Sequence, residues 1–245
     1  MGIDAGKTHD EWLKEMEVRS REKQLSFISG ISSKLRRPMV TSAPVHPYRG
    51  APDFWNAFEW TEEQRIERFT DNFRNNGGHV ERLASMEEAA NFIADKAKAL
   101  GARYVVRQDE AELASLELEQ ALPDTKVSTW NSDAEQTWMA RSAEADVGVV
   151  MADAAAAYTS SIMVRSAAGK GRSVSLLPTV LVVIIPLERL KTRLGEILNR
   201  FDEEGRESLP AGIHFISGPS RSSDIENDLT IGVHGPGVVY ALIVG

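Results

Sequence analysis

Six consecutive apolar residues, Val180-Leu181-Val182-Val183-Ile184-Ile185, leave this stretch with no polar face. A strand of that kind is buried on both sides, so it belongs at the centre of a sheet with a layer packed on each face. The rest of the sequence can supply such a sheet. Strand patterns occur at His79–Leu83, Tyr104–Arg107, Val127–Trp130, Val147–Met151, Ser161–Arg165, His214–Ser217 and Val238–Val244. Helical periodicity fills most of the intervals, at Met86–Leu100, Glu110–Ala121, Ala134–Ala143 and Leu187–Glu203. Strands separated by helices of this length predict an α/β fold with a largely parallel, doubly wound sheet. The alanine-rich Ala152–Ala157 reads as a tightly packed connection between two strands, or as a place where the backbone comes close to a ligand.

Ahead of this core, Trp12, Leu13, Met16, Leu25, Ile28, Ile31 and Leu35 recur at helical spacing among many charges, interrupted by Gly30. One or two amphipathic helices are expected there. From Arg36 to Pro52 the chain is rich in Pro and reads as an extended linker. Residues 1–52 therefore form a helical arm with its linker, and residues 53–245 the α/β domain. Thr61 with Gln64 is a capping-box signature for a helix whose apolar face is Ile66, Phe69 and Phe73 and which Gly77-Gly78 ends.

Composition excludes several chemistries. The net charge is −8 and the densest basic run, Lys34-Leu35-Arg36-Arg37, is too short for a nucleic-acid footprint. The chain has no Cys, which rules out disulfides, thiolate zinc, a cysteine nucleophile and cysteine-ligated iron–sulfur clusters within it. No apolar signal region opens the sequence, and Val180–Pro186 is too short to span a bilayer, so a cytoplasmic location is expected.

Two Gly-rich segments follow apolar strands, the usual position of a ligand site in an open α/β sheet. In Gly169-Lys170-Gly171-Arg172-Ser173 the spacing matches neither the P-loop nor the dinucleotide fingerprint. What remains is a turn presenting Lys170 and Arg172 to a carboxylate or phosphate, or simply a solvated hairpin turn. In Ser217-Gly218-Pro219-Ser220-Arg221-Ser222-Ser223-Asp224-Ile225-Glu226, Ser223 and Glu226 form a capping box that predicts a short helix. Gly218, Ser220 and Ser223 are its anion-binding candidates, and the alternative is that the hydroxyls only cap. Gly232-Val233-His234-Gly235-Pro236 adds His234, which with Asp224 is a candidate for proton transfer, although a lone His is more often structural. No metal-ligand spacing is present.

At these residues the chain resembles the LUD-domain family, of the lactate utilization protein C type. The matching motifs are Ala145-Asp146-Val147-Gly148-Val149, Gly171 to Pro178, Ser217-Gly218-Pro219-Ser220 with Ser223-Asp224-Ile225-Glu226, and Gly232 to Pro236, with a weaker likeness at Tyr48 to Trp55. The resemblance implies a three-layer α/β sandwich similar to the sugar-phosphate isomerase and CoA-transferase-like superfamily. It also implies an accessory subunit in bacterial L-lactate oxidation to pyruvate, alongside partners that carry iron–sulfur clusters. The alternative is a stand-alone isomerase or acyl/CoA transferase acting on an anionic metabolite. Where the family usually reads Ala-Glu-Thr/Ser-Gly-Thr/Ser, this chain has Ala157-Tyr158-Thr159-Ser160-Ser161. Tyr158 thus becomes a further catalytic candidate, and Ser160 brings a Cβ to a position where the backbone needs φ > 0 or close approach.

Overall fold

The computed structural model describes residues 8–40, 42, 58–135, 137–223 and 229–245. The chain divides into two units, Met1–Pro52 and Asp53–Gly245. The described part of the first is one helix, α1 (His9–Leu35), which runs unbroken through Gly30. Thr8 and Glu11 cap its start reciprocally, Arg36 closes it in the left-handed conformation, and it buries none of its residues. The expected linker to Pro52, and the motif from Tyr48 to Trp55, fall almost wholly outside the described residues.

In the second unit, α2 (Glu62–Asn75) starts at the Thr61/Gln64 capping box and buries Ile66, Phe69 and Phe73. Each phenylalanine removed from water contributes about 1.5–3 kcal/mol, and the two rings stack with centroids 5.3 Å apart. The chain continues through β1 (His79–Leu83), α3 (Met86–Ala99), β2 (Tyr104–Arg107), the one-turn helices α4 (Ala111–Ala114) and α5 (Leu118–Ala121), β3 (Lys126–Thr129), α6 (Trp138–Glu144) and β4 (Val147–Met151). Next come β5 (Ala154–Ala156), β6 (Ser161–Arg165), α7 (Arg172–Leu176), β7 (Val180–Pro186), β8 (Leu190–Lys191) and α8 (Leu194–Glu204). It closes with β9 (Ile213–Ile216), β10 (Arg221–Ser223), β11 (Leu229–Ile231) and β12 (Val238–Val244).

Six strands form one sheet in the order β1-β12-β7-β4-β2-β3. Every pairing in it is parallel. β7 lies between β12 and β4 and alternates as its composition requires. Leu181, Val183 and Ile185 enter one core, with Phe69, Phe73 and Val174, while Val180, Val182 and Ile184 enter the other, with Ile93, Leu113 and Leu118. The first face is covered by α2, α7 and a second sheet, the other by α3 to α5.

The second sheet, in the order β8-β5-β6-β9, is mixed. Ala155, Ile162 and Val164 face the main core, and Ala154, Ala156 and Met163 pack with Ile197 of α8. The alanine-rich connection is therefore itself a fully buried strand.

One expected helix is corrected. The stretch Glu110–Ala121 is broken because Glu117 takes φ 46°, which no α-helix accommodates. The segment after Pro219 forms the strand β10, paired antiparallel with β11 through Ser223↔Leu229, and the helix expected beyond Ser223 falls on residues 224–228, outside the described residues.

Candidate functional site

In chain order the sheet grows from β2 to β3 on one side, then reverses to β4, β7 and β12 on the other. Ligand sites in open α/β sheets sit at the carboxyl ends of the strands at such a reversal, here between β2 and β4. The segments leaving those two strands carry Glu110 and Asp153. The Gly-rich loop before α7 crosses the same place, where the Asp109 N–H donates to the Gly169 carbonyl at 2.8 Å. A Cβ on Gly169 would lie 2.8 Å from the Asp109 carbonyl oxygen, so only glycine lets the two backbones meet.

Lys170 is the centre of this crossing. Its ammonium lies 3.1 Å from Glu110 Oε2 and 3.0 and 2.9 Å from the two oxygens of Asp153, which also accepts the Arg165 N–H at 2.7 Å. Burial pushes the Glu110 carboxyl above its ordinary value, against the opposing pull of Lys170. The lysine thus ties the loop to both strand ends, and its charge is matched inside the chain before any ligand arrives.

Arg172 is placed differently. It is exposed on α7, and among the described residues its guanidinium has no hydrogen-bond or ion-pair partner. It lines an open cleft of about 770 Å³ whose walls include Trp130, Met139, Leu176 and Leu177. Gly171 lets the Trp130 ring reach the loop, since a Cβ there would stand 2.1 Å from Cε2 of the indole. His214 on β9 is close to Arg172. Burial, and then the positive charge of Arg172, hold its imidazole below the ordinary value.

The second Gly-rich segment builds a separate, smaller cavity of about 230 Å³, lined by Asn76, Ser217, Gly218, Pro219 and Arg221. Gly218 has φ 137°, which disfavours any side chain, and the Arg221 guanidinium donates to the Asn76 carbonyl. Ser217 and Ser161 share a hydroxyl hydrogen bond of 2.9 Å. The Ser220 N–H donates to the Pro236 carbonyl and its own carbonyl accepts from Gly232, so its backbone is closed within the 217–236 segment. His234 is exposed on that segment, and Ser223 is exposed in β10. Asp224 lies outside the described residues.

The departures from the family pattern fall apart in space. The ring of Tyr158 packs with Phe58 and Trp60, at centroid distances of 5.4 and 6.0 Å. Its N–H donates to the Thr192 carbonyl, next to β8. Ser160 is fully buried with φ 46°, the conformation for which a glycine is suited, and its hydroxyl accepts from Asn76 Nδ2 at 3.3 Å. Ser160 thereby adjoins the smaller cavity through Asn76.

Of the candidates, Lys170 and Arg172 line one cavity and Gly218 the other. Glu110, Trp130 and His214 were not foreseen as members of a common site. Glu110 and Trp130 could have been found from one signal, since both lie within three residues of the carboxyl end of a strand. Among the described residues no three His, Asp or Glu side chains gather as a metal site, and no helix is long and apolar enough to cross a membrane.

Comparison with known proteins bears on the whole domain. A lactate utilization protein C from Shouchella clausii is 32% identical over 223 residues, covering 86% of this chain and 93% of that protein. Its counterpart from Halalkalibacterium halodurans is 29% identical over 220 residues, with 88% and 94% coverage. The crystal structure of a DUF162 family protein from Deinococcus radiodurans superposes with a TM-score of 0.54 at 20% identity, over 76% of this chain and 99% of that one, which shows the fold. The family model of the LUD domain matches residues 66–244, from within α2 to the end of β12, and the chain belongs to that family.

Proposed function

We propose that this protein is an accessory component of a bacterial L-lactate oxidation system, acting in the cytoplasm with iron–sulfur partner proteins that carry the electrons from lactate to an acceptor as pyruvate forms. The observation behind this reading is the near end-to-end likeness to proteins called lactate utilization protein C. The sequence supports the division of labour, because a chain with no Cys offers no thiolate for a cysteine-ligated cluster. Deleting the gene should abolish growth on L-lactate while leaving growth on pyruvate intact, and a plasmid copy should restore it. Unimpaired growth of the deletion strain on lactate would end this reading, as would failure of the tagged protein to co-purify with any cluster-bearing partner.

A second reading is favoured by the unpaired Arg172 in an open cleft: a stand-alone isomerase or acyl/CoA transferase on an anionic metabolite. Arg172 would hold the anion, while the candidates for moving protons are His234, on the segment that builds the smaller cavity, and Asp224, outside the described residues. Thermal shift against sugar phosphates and CoA esters separates the two, since only this second reading expects stabilisation by one of them that Arg172→Ala removes.

A further inference from the structure

We propose that the cleft beside α7 binds a monocarboxylate that carries an apolar body, its carboxylate held between the Arg172 guanidinium and His214 Nε2. The inference goes beyond the lactate reading and does not depend on it. Three observations converge on one spot. The position that a Cβ on Gly212 would occupy lies 3.5 Å from Arg172 Nη1 and 3.4 Å from His214 Nε2, so the two nitrogens are close enough for one carboxylate to bridge. Two polar atoms close by, His214 Nδ1 and Ser166 Oγ, are buried without a hydrogen-bond partner. Ser166 lines the cleft, and its N–H holds the Gly212 carbonyl at 2.9 Å, which ties this polar corner to the cleft wall.

The charge balance selects a monoanion. Lys170, the other cation lining the cleft, faces Glu110 and Asp153, so that group is net negative when both carboxyls are ionised and leaves Arg172 as the cleft's uncompensated charge among the described residues. A single guanidinium matches one carboxylate, whose two oxygens fit its planar fork. A dianionic phosphate would bring a second charge toward the two carboxylates without a second cation to meet it.

The walls select the rest of the ligand. Trp130, Met139, Leu176 and Leu177 present apolar surface around a volume of about 770 Å³. That is the size of a site for a drug-sized molecule, far more than six heavy atoms of lactate fill. An aromatic or branched body next to the carboxylate would cover these side chains. Burial, and then the charge of Arg172, hold the His214 imidazole below its ordinary value, which favours the form that hydrogen-bonds without adding a second cation.

The test is calorimetric titration of the full chain with four probes: 3-phenylpropanoate, its neutral amide, L-lactate and phenyl phosphate. The phenylpropanoate should bind at least tenfold more tightly than each of the other three. Arg172→Gln should remove that preference over the amide. Gly212→Ala should weaken binding tenfold or more, since the new methyl would stand 2.8 Å from Arg172 Cδ and fill the space between guanidinium and imidazole. Gly212 has no left-handed φ, and Arg172 is an exposed, flexible side chain, so both variants should retain the wild-type circular dichroism spectrum. No binding of the phenylpropanoate, equal binding of the amide or of lactate, tighter binding of phenyl phosphate, or indifference to both folded variants would each overturn the proposal. Loss of the lactate growth phenotype bears on the other reading alone.

Discussion

Replacing Lys170 with Met removes one ammonium and keeps most of the side chain's volume. Two carboxylates are then left facing each other without their common counter-ion. The three side chains retain only 12%, 16% and 24% of their exposure, for Lys170, Glu110 and Asp153, so water replaces the lost contacts only in part. Breaking a fully buried pair from one side costs about 3–5 kcal/mol. The residual exposure reduces this to roughly 2–3 kcal/mol, which for a domain of this size lowers the midpoint by about 4–12 °C. Urea unfolding of wild type and Lys170→Met at pH 7 measures the difference directly. Repeating it at lower pH checks the cause, because protonating the abandoned carboxylates should shrink the deficit. A variant within 0.5 kcal/mol of wild type, or a deficit independent of pH, would refute the view that Lys170 locks the loop onto β2 and β4.

Three further outcomes are expected. The Glu110 carboxyl keeps its proton to a higher pH in the folded chain than its ordinary 4.5, so its contribution favours folding below 4.5 and is lost as pH rises through the raised folded value. Glu110→Gln should accordingly flatten the fall in stability from pH 4.5 upward, measured by denaturant titration across that range. In Gly148→Ala the new methyl would lie 2.2 Å from the Val174 carbonyl and 2.9 Å from the Pro178 ring, forcing α7 off β4 at a cost of about 3 kcal/mol, readable as a lower urea midpoint at unchanged slope. A chain starting at Asp53 should melt within about 2 °C of the full chain in calorimetry, because the residues of all three core clusters belong to the unit that it keeps.

The sequence made the main sheet readable because its strands are buried on both faces and its helices are capped by local signals. β1, β2, β4, β6 and β12 have the expected bounds, and Val180–Ile185 is central, as its lack of a polar face requires. Legibility failed where tertiary packing overrode local preference. Alanine has a weak strand preference, so β5 could not be told from a connection until Ile162 and Leu190 were seen to flank it. The interval Leu187–Glu203 reads as one helix, yet Leu190 and Lys191 pair with β5 first, and the helix starts only at Leu194. Ser223 satisfies a capping rule, but its backbone pairs with Leu229, six residues later.

The candidate site was legible as a set of loops and illegible as a set of contacts. The Gly169–Gly171 loop meets the chain just beyond β2, where glycines after strands place the candidate site, and the positive φ at Ser160 was foreseeable from the family pattern. What spacing cannot disclose is that Lys170 meets carboxylates 17 and 60 residues away, while Arg172, two residues on, meets none among the described residues. Two cations of one short loop thus differ in availability for a reason that exists only in three dimensions.

The mixed sheet has a consequence for the order of folding. Its strands come from two excursions, β5 and β6 before β7, β8 and β9 after it, and Ile162 must find Ile216 across the whole of β7 and α8. Closing so long a loop is slow and becomes favourable only once its ends are already near each other. The β6–β9 closure, Ile162 to Ile216, spans 54 residues, about the same as the 58 between Val180 and Val238, whereas β1 meets β12 across 161 residues, His79 to Tyr240. The β1 edge should therefore pair last, as a separate kinetic phase, and Ser166 and Gly212, which join just beyond the β6–β9 pairing, would complete the cleft before that edge closes.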